Sequence, residues 1–489
     1  MNSEQKNAPR PGFVPLTVYR LLGLPPSVMV SNLVSRVAGN IKDIVKTGDR
    51  LVIGLSGGVD SVVLLDILSR LARRRRFRLA ALHVNHQLSR NARQWAAFCR
   101  RLCRARGIAL RAVKVTVPRG NSLEAAARAA RYDAFRRVRA DYVALAHNQD
   151  DQAETVLLQL LRGAGVKGLA AMPLVRKAEG GRRKAEGGKG SLHPSSFILH
   201  PSILRPLLDT TRADIEAYAR ARGLAWIEDE SNAEPYFLRN FLRREVLPVI
   251  ARRFSAYRGT LARSARNFAE AARLLEDLAL ADGAQHCRDG ALEVAALRRL
   301  PRARAKNLLR WFLASRGALM PNSDRLEEAV RQACTAKDDA RVCINLGGHE
   351  LRRFAATLYI VPKTPAPGAG FTRRWRGESV LAVPELGGVL TMLKRRGAGI
   401  DAAKLTARAV AIRLRQGGEQ LQPDCNRPRR SLKNLLQEAA VPPWLRARLP
   451  LLFCGDALVW VPGIGIDCSF QAQPGQSSLL PHWRPVNSL

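Results

Sequence analysis

Apolar positions recur at helical spacing through Leu33, Val37, Ile41, Ile44 and Val45, and the run Leu51-Val52-Ile53-Gly54-Leu55 then reads as a buried strand. Strand-like runs near residues 79–84, 110–115 and 142–146 alternate with helical stretches near 60–72, 91–106 and 122–139. Alternation of this kind predicts a parallel sheet covered by helices. Pro9, Pro11, Pro15, Pro25 and Pro26 interrupt residues 1–28 without sustained periodicity, so this stretch reads as a flexible leader, with Met29 a candidate translation start.

The pattern breaks at residues 177–202, where Lys-Ala-Glu-Gly-Gly occurs at 177–181 and again at 184–188, and His-Pro-Ser at 193–195 and 200–202. A low-complexity insertion without a role in the core is expected there. Beyond residue 250 the chain turns helical and rich in Arg, then crosses a Pro- and Gly-containing stretch near 362–378. We therefore expect an α/β domain over 29–250, a mostly helical domain over 251–362 and a small α+β domain over 379–475.

Charge changes the picture most. The 489 residues carry 80 Lys and Arg against 41 Asp and Glu, a formal net charge of +39. Solubility needs far less, and codon bias toward Arg does not explain the shortage of acids, so a nucleic acid is the expected partner. The eight cysteines are scattered, and Cys99 and Cys103 stand at a spacing unlike a metal or redox pair. No stretch approaches the roughly 20 apolar residues of a membrane span, and no secretory signal is visible, so a cytoplasmic protein is expected. Oligomeric state is left open, a homodimer included.

Two segments carry candidate chemistry. Ser56-Gly57-Gly58-Val59-Asp60-Ser61 lies between the strand ending at Leu55 and a helix through Leu64, Leu65 and Leu68. Two glycines allow close backbone approach, while successive amides, two hydroxyls and a helix N-terminus offer donors to phosphate oxygens. An ordinary Gly-rich turn would share the placement, and the loop lacks the Lys of a Walker motif. The second segment, Ala146 to Thr155, includes His147, Asn148, Asp150, Asp151 and Glu154 at the C-terminal end of a strand candidate, where open α/β sheets bind ligands. If Asp150 caps the following helix, Asp150 and Glu154 share one face and can hold a magnesium ion or an amine. First-turn acids favoured by the helix dipole are the plainer explanation.

The first segment resembles the pyrophosphate loop (PP-loop) of the N-type ATP pyrophosphatases, of adenine nucleotide alpha hydrolase-like fold. That resemblance implies cleavage of ATP to AMP and pyrophosphate, with ATP contacts from Ser56, Gly57, Gly58, Val59, Asp60 and Ser61 and magnesium at Asp60. Four blocks in order narrow it to the tRNA(Ile)-lysidine synthetases: the loop; His83-Val84-Asn85-His86; Glu124-Ala125-Ala126-Ala127-Arg128 before Arg131-Tyr132; and the His147 to Thr155 segment running into Leu157-Leu158-Gln159-Leu160-Leu161-Arg162-Gly163-Ala164-Gly165. Asn148, Gln87 and Ser89 stand where His, Gly and Arg are common in that family, departures expected to affect nucleotide contacts but not the carboxylates.

The resemblance implies that O2 of cytidine 34, in the CAU anticodon of an isoleucine tRNA, attacks the α phosphate of ATP, and that the ε-amine of L-lysine then displaces AMP. The product decodes AUA instead of AUG. Expected catalytic residues are Asp60, Asp150, Asp151, Glu154, Arg128 and Arg131; further ATP contacts are His83 and His147; magnesium falls to Asp60 with Asp150 or Asp151. Segments around Arg205, Trp226 to Asn232 and Arg239 to Arg243 also resemble the family, which puts Arg205, Arg239 and Arg243 among tRNA contacts. In the C-terminal module Gly417-Gly418-Glu419, Ser431 to Leu436, Val441-Pro442-Pro443-Trp444 and Val461 to Gly465 extend the likeness, with Lys433 the tRNA contact and Trp444 expected in a core. A PP-loop tRNA thiolase and a non-catalytic RNA-binding protein on the same fold are the rivals.

Overall fold

The computed structural model describes residues 26–87, 89, 91–118, 123–177, 200–228, 238–288, 290–337, 342–363, 368 and 370–485. Most of the leader, the body of the 177–202 insertion and Asp229 to Asn232 lie outside the described residues. The chain divides into two compact units, Met1–Leu274 and Leu275–Leu489. Among the described residues no helix is long and apolar enough to cross a membrane.

In the first unit a helix α1 (Pro26–Ile41) precedes β1 (Arg50–Gly54), α2 (Val59–Arg75), β2 (Arg78–Asn85), α3 (Ala92–Arg104), β3 (Ala109–Lys114), α4 (Leu123–Arg136), β4 (Tyr142–Ala144) and α5 (Gln149–Leu161). Two short strands, β5 (Val175–Arg176) and β6 (Ser202–Leu204), bracket the insertion, and α6 (Arg212–Ala221) follows. The sheet runs β3-β2-β1-β4-β6-β5, and every pairing is parallel except β5 with β6. Side chains of β1 alternate as a strand requires. Leu51 and Ile53 enter the core shared with Leu33, Val37, Leu64, Leu68 and Ile215, whereas Val52 enters the opposite layer with Phe135, Val143 and Ile203. Strand order reverses between β1, whose next neighbour in sequence lies on one side, and β4 on the other. The crevice at the C-terminal ends of these two strands is the topological switch point, where such sheets bind ligands.

After α6 comes a short helical stretch (Leu238–Phe241), a π-helical turn (Leu242–Val246), α7 (Leu247–Arg253) and α8 (Tyr257–Gly283), within whose sequence the division between the units falls. Leu247, Tyr257, Ile250 and Leu261 pack on Ala153 and Leu157 of α5. That packing carries basic side chains of the segment to the first turn of α5.

The second unit begins as the expected helices, α9 (Arg302–Ser315) and α10 (Ser323–Thr335) among them, but these cover an antiparallel sheet that hydrophobic patterning did not reveal. Its order is β7 (Cys287–Arg288), β8 (Ala291–Glu293), β11 (Thr357–Pro362), β10 (His349–Phe354) and β9 (Cys343–Asn345). The C-terminal α+β module combines a five-stranded and a four-stranded sheet. It extends beyond the expected 379–475 at both ends. Thr372–Trp375 pairs with Val410–Arg413, and Ser477–Pro485 pairs along Gly388–Arg396, with the Trp483 ring pressed against Gly388.

Candidate active site

The loop after β1 closes on its own hydroxyls. Gly57 N donates to Ser61 Oγ at 3.1 Å, Gly58 N to Ser56 Oγ at 3.3 Å, and Ser61 Oγ donates to the Gly58 carbonyl at 3.0 Å. Gly57 has φ +99°, and a Cβ there would meet Ile227 Cδ1 at 2.8 Å, so glycine is required by backbone and space together. Ile227 N in turn donates to the Gly57 carbonyl at 2.9 Å. No side chain caps α2 at Gly58. Its orphan first-turn amides, including those of Val59, Asp60 and Ser61, remain available to an anion. His83 is buried beneath the loop, with Nδ1 2.9 Å from the Leu55 carbonyl, and burial lowers its pKa. A neutral imidazole donating from Nδ1 braces the strand end from which the loop departs. Its contact here is with the protein backbone. Gln87, at a position where glycine is common in the resembling family, takes φ +58°, which accounts for that preference.

The second segment differs from expectation at its cap. Asn148, not Asp150, caps α5: its side chain accepts from Asp151 N at 3.1 Å, while Asp151 Oδ2 accepts from Asn148 N at 3.0 Å. Asp150 therefore sits in the first turn. One oxygen accepts from Arg212 N at 3.0 Å and the other pairs with Arg258. Asp60 instead has Asp151 as its acidic neighbour, and burial followed by that charge pushes its carboxyl up to about 6 against the opposing pull of Arg212, Asn148 and Arg243. Arg212 reaches both Asp60 and Asp150, since its Nη1 lies 3.6 Å from Asp60 Oδ2. The expectation that Asn148 leaves the carboxylates untouched is corrected, since Asn148 Nδ2 donates to Asp60 Oδ1 at 3.1 Å.

Glu154 is 1% exposed. Oε1 accepts from Arg243 Nε at 2.7 Å, and Oε2 is buried without a hydrogen-bond partner. Burial raises its pKa, and the Arg243 bond and charge oppose that rise without cancelling it. Arg243 also lies 3.6 Å from Asp151 Oδ1, so one guanidinium serves two carboxylates of the same helix. Arg239, four residues earlier, donates to Thr155 Oγ1 at 3.3 Å. Both were expected at an RNA surface, yet both are turned onto the first turns of α5.

Arg128 and Arg176 each stand 5.0 Å from the centre of the Tyr132 ring. Arg205 is only 2% exposed; it donates from Nη1 to the Pro173 carbonyl at 2.7 Å, and its Nε has no partner. A residue so enclosed does not face a tRNA body, and that expectation is corrected. His147 Nδ1 is likewise buried without a partner. Burial lowers the His147 pKa well below normal, reinforced by the charges of Arg205, Arg128, Arg131 and Arg239. Burial alone would raise the Tyr132 phenol, but Arg128, Arg205 and Arg176 outweigh it and lower the net value. The arginines thus form a concentrated cationic wall behind His147. Lys433 is far from this centre in sequence and exposed on the short helix Leu432–Glu438.

Comparison with known proteins gives a consistent answer along the chain. Residues 29–250 match a PP-loop domain, 292–359 the TilS substrate binding domain and 410–483 the TilS substrate C-terminal domain. A tRNA(Ile)-lysidine synthase of Nitrosomonas europaea is 45% identical over 448 residues, covering 91% of this chain and 94% of the relative. The chain belongs to the tRNA(Ile)-lysidine synthase family. A second member, from Azoarcus sp., is 42% identical over 90% of this chain and 92% of its own length. Among solved structures, the U34-tRNA thiolase NcsA of Methanococcus maripaludis, with its [4Fe-4S] cluster, covers 50% of this chain and 82% of its own at 17% identity and TM-score 0.41.

Family membership agrees with the placement of the four blocks around one crevice. Residues that sequence reasoning missed are Arg212 and Arg258, which hold Asp60 and Asp150; Ile227 and Tyr132 stood inside family-like segments but without an assigned role. Arg212 lies 3.6 Å from Asp60 Oδ2 although 152 positions separate them, a partnership with no local signature. Glu124 belongs to α4, but its side chain is outside the described residues.

Proposed function

We propose that this chain makes lysidine, joining L-lysine to C2 of cytidine 34 in the CAU anticodon of an isoleucine tRNA at the expense of ATP. The observation that carries this reading is the state of Glu154: fully buried, one oxygen held by Arg243, the other unpartnered, on the helix that opens beside the uncapped pyrophosphate loop. A carboxylate whose pKa burial raises is suited to take a proton from an ammonium near neutral pH. The free Oε2 is the acceptor we assign to the lysine ε-amine.

In the first step cytidine O2 forms a bond to the α phosphorus and pyrophosphate leaves. The loop amides and the Ser56 and Ser61 hydroxyls hold that leaving group, while Arg128 and Arg131 balance charge on the phosphoryl being transferred. In the second, the deprotonated ε-amine forms the C2–N bond, the C2–O bond breaks and AMP leaves; Glu154 receives the amine proton. Among the described residues no group of three or more metal-ligating side chains lies together. Asp60 and Asp151 nonetheless suit magnesium, which usually takes one or two carboxylates plus substrate phosphates; burial chiefly, and the Asp151 charge after it, raise the Asp60 carboxyl, and a cation between the two acids would relieve their repulsion. When bound there, the ion offsets phosphate charge.

An unpaired anticodon base needs no duplex opening, so stacking and edge contacts suffice for it, and the basic surface serves the tRNA body. The thiolase alternative lacks a reactive thiol near the loop: burial pushes Cys99 up to about 12 and Cys103 up to about 11. The test is product analysis with isoleucine tRNA. AMP and pyrophosphate, with no ADP, support the reading; ADP and phosphate overturn it.

A further inference from the structure

Trp444 was expected in the core of the C-terminal module, and it lies elsewhere. It sits on the short helix Pro443–Arg446 of that module, half-buried, with its ring against the sheet of the preceding domain. The ring meets Tyr359 edge-on at 5.6 Å and Phe354 at 6.1 Å, and the Arg352 guanidinium stands 5.3 Å from its centre.

The sheet register explains why these three residues converge. Arg352 pairs with Tyr359 across β10 and β11, and Phe354 lies two positions beyond Arg352, so all three share one face. Leu351, Leu358 and Ile360 point the other way, into the core under α9 and α10. The outer face would present an Arg-Tyr-Phe cluster to water were it not covered by Trp444. Arg352 is further fixed by Glu350, 2.6 Å from its Nη2. Edge-on aromatic pairs and a guanidinium over an indole are directional contacts, so together they define a position and not merely an adhesion.

We propose that Trp444 is the joint that fixes the C-terminal module on the middle domain, and that through this joint it positions the module's exposed Lys394, Arg395, Arg396 and Lys433 for the tRNA. The second half rests on the lysidine-forming function proposed above; the first does not. Trp444 is thus a positioning residue that touches no reacting atom, and its loss frees the angle between two folded domains without unfolding either.

The test compares the full-length wild type with Trp444→Ala, Trp444→Phe and Arg352→Gln. Pairs of spin labels on exposed positions of the two domains, at Lys363 and Lys433, report the interdomain distance in the absence of RNA. Trp444→Ala should broaden the distance distribution and raise KM for tRNA about tenfold, with kcat at saturating tRNA within about twofold of wild type. Trp444→Phe should restore most of the wild-type distribution and KM, and Arg352→Gln should fall between. An unchanged distribution in a folded Trp444→Ala protein overturns the joint, even if tRNA binding weakens, because Trp444 would then act as a direct RNA contact. A broadened distribution with unchanged KM for tRNA overturns the positioning role. Because the distance measurement uses no RNA, a failure of lysidine synthesis leaves the joint separately testable.

Discussion

Replacing Arg243 by Met probes the buried carboxylate at the heart of the site. Glu154 is 1% exposed and its Oε1 depends on Arg243 Nε at 2.7 Å. Without that partner an ionised Glu154 would be left uncompensated, at a typical cost of about 3–5 kcal/mol. Taking up a proton limits the loss. Protonating a carboxyl of ordinary pKa 4.5 at pH 7 costs about 3.4 kcal/mol, at 1.36 kcal/mol per unit. This is an upper bound on the difference from wild type, because burial already raises Glu154 with Arg243 in place. Between pH 4.5 and neutrality the native variant holds a proton that its unfolded chain releases, so its stability rises as pH falls. The deficit should shrink from pH 7 to pH 6 by no more than about 1.4 kcal/mol, since the wild-type carboxyl is itself raised. For a domain of roughly 200 residues, about 2–4 °C per kcal/mol puts the pH 7 loss at no more than about 7–14 °C. Calorimetry of the full-length chain measures it, following the transition that ATP raises. A deficit that stays constant from pH 5 to pH 8, or none at pH 7, would refute the electrostatic account of Glu154.

Three further outcomes follow from the geometry. Gly57→Ala imposes φ +99° on a residue with a Cβ and pushes that atom to 2.8 Å from Ile227, so KM for ATP should rise on the order of tenfold or more while KM for lysine stays put. Equal effects on both substrates would contradict a role confined to the phosphate cradle. Asn148→Ala removes the α5 cap, worth about 1 kcal/mol, and the 3.1 Å bond to Asp60, so pyrophosphate release should fall further than the small drop in melting temperature accounts for. Deleting residues 178–199 and closing the gap with a tight turn should leave AMP formation within about twofold of wild type, since Arg176 and Ile203 already face each other in an antiparallel pair; a folded deletion variant without activity would assign the insertion a role.

The elements around the site were legible because their signals are local. β1 is a continuous apolar run, the loop after it is a short motif, and the following helices carry their own periodicity. The domain sheet of the second unit was hidden for an equally local reason: β7 and β8 are two and three residues long, and β10, His-Glu-Leu-Arg-Arg-Phe, alternates charge against only one apolar face. At the site itself residue types were readable and partnerships were not. Glu154 meets Arg243 across 89 positions, and Asp150 meets Arg258 across 108. Arg205 looked like a surface cation because nothing in its neighbourhood announces the Pro173 carbonyl that holds it. Asn148 looked like a departure from a motif, whereas its amide both caps α5 and steadies Asp60. Trp444 was read as core because its partners belong to a different domain.

The central claim is that one crevice at the switch point of the sheet both activates cytidine and delivers lysine to it. Its most direct test supplies ATP and labelled lysine with isoleucine tRNA carrying the CAU anticodon, and in parallel with the methionine tRNA that shares that anticodon. Label retained on the isoleucine tRNA alone, in proportion to the pyrophosphate released, and lost in Glu154→Gln, is the expected result. Pyrophosphate release without any label on RNA, or full labelling by Glu154→Gln, would contradict it.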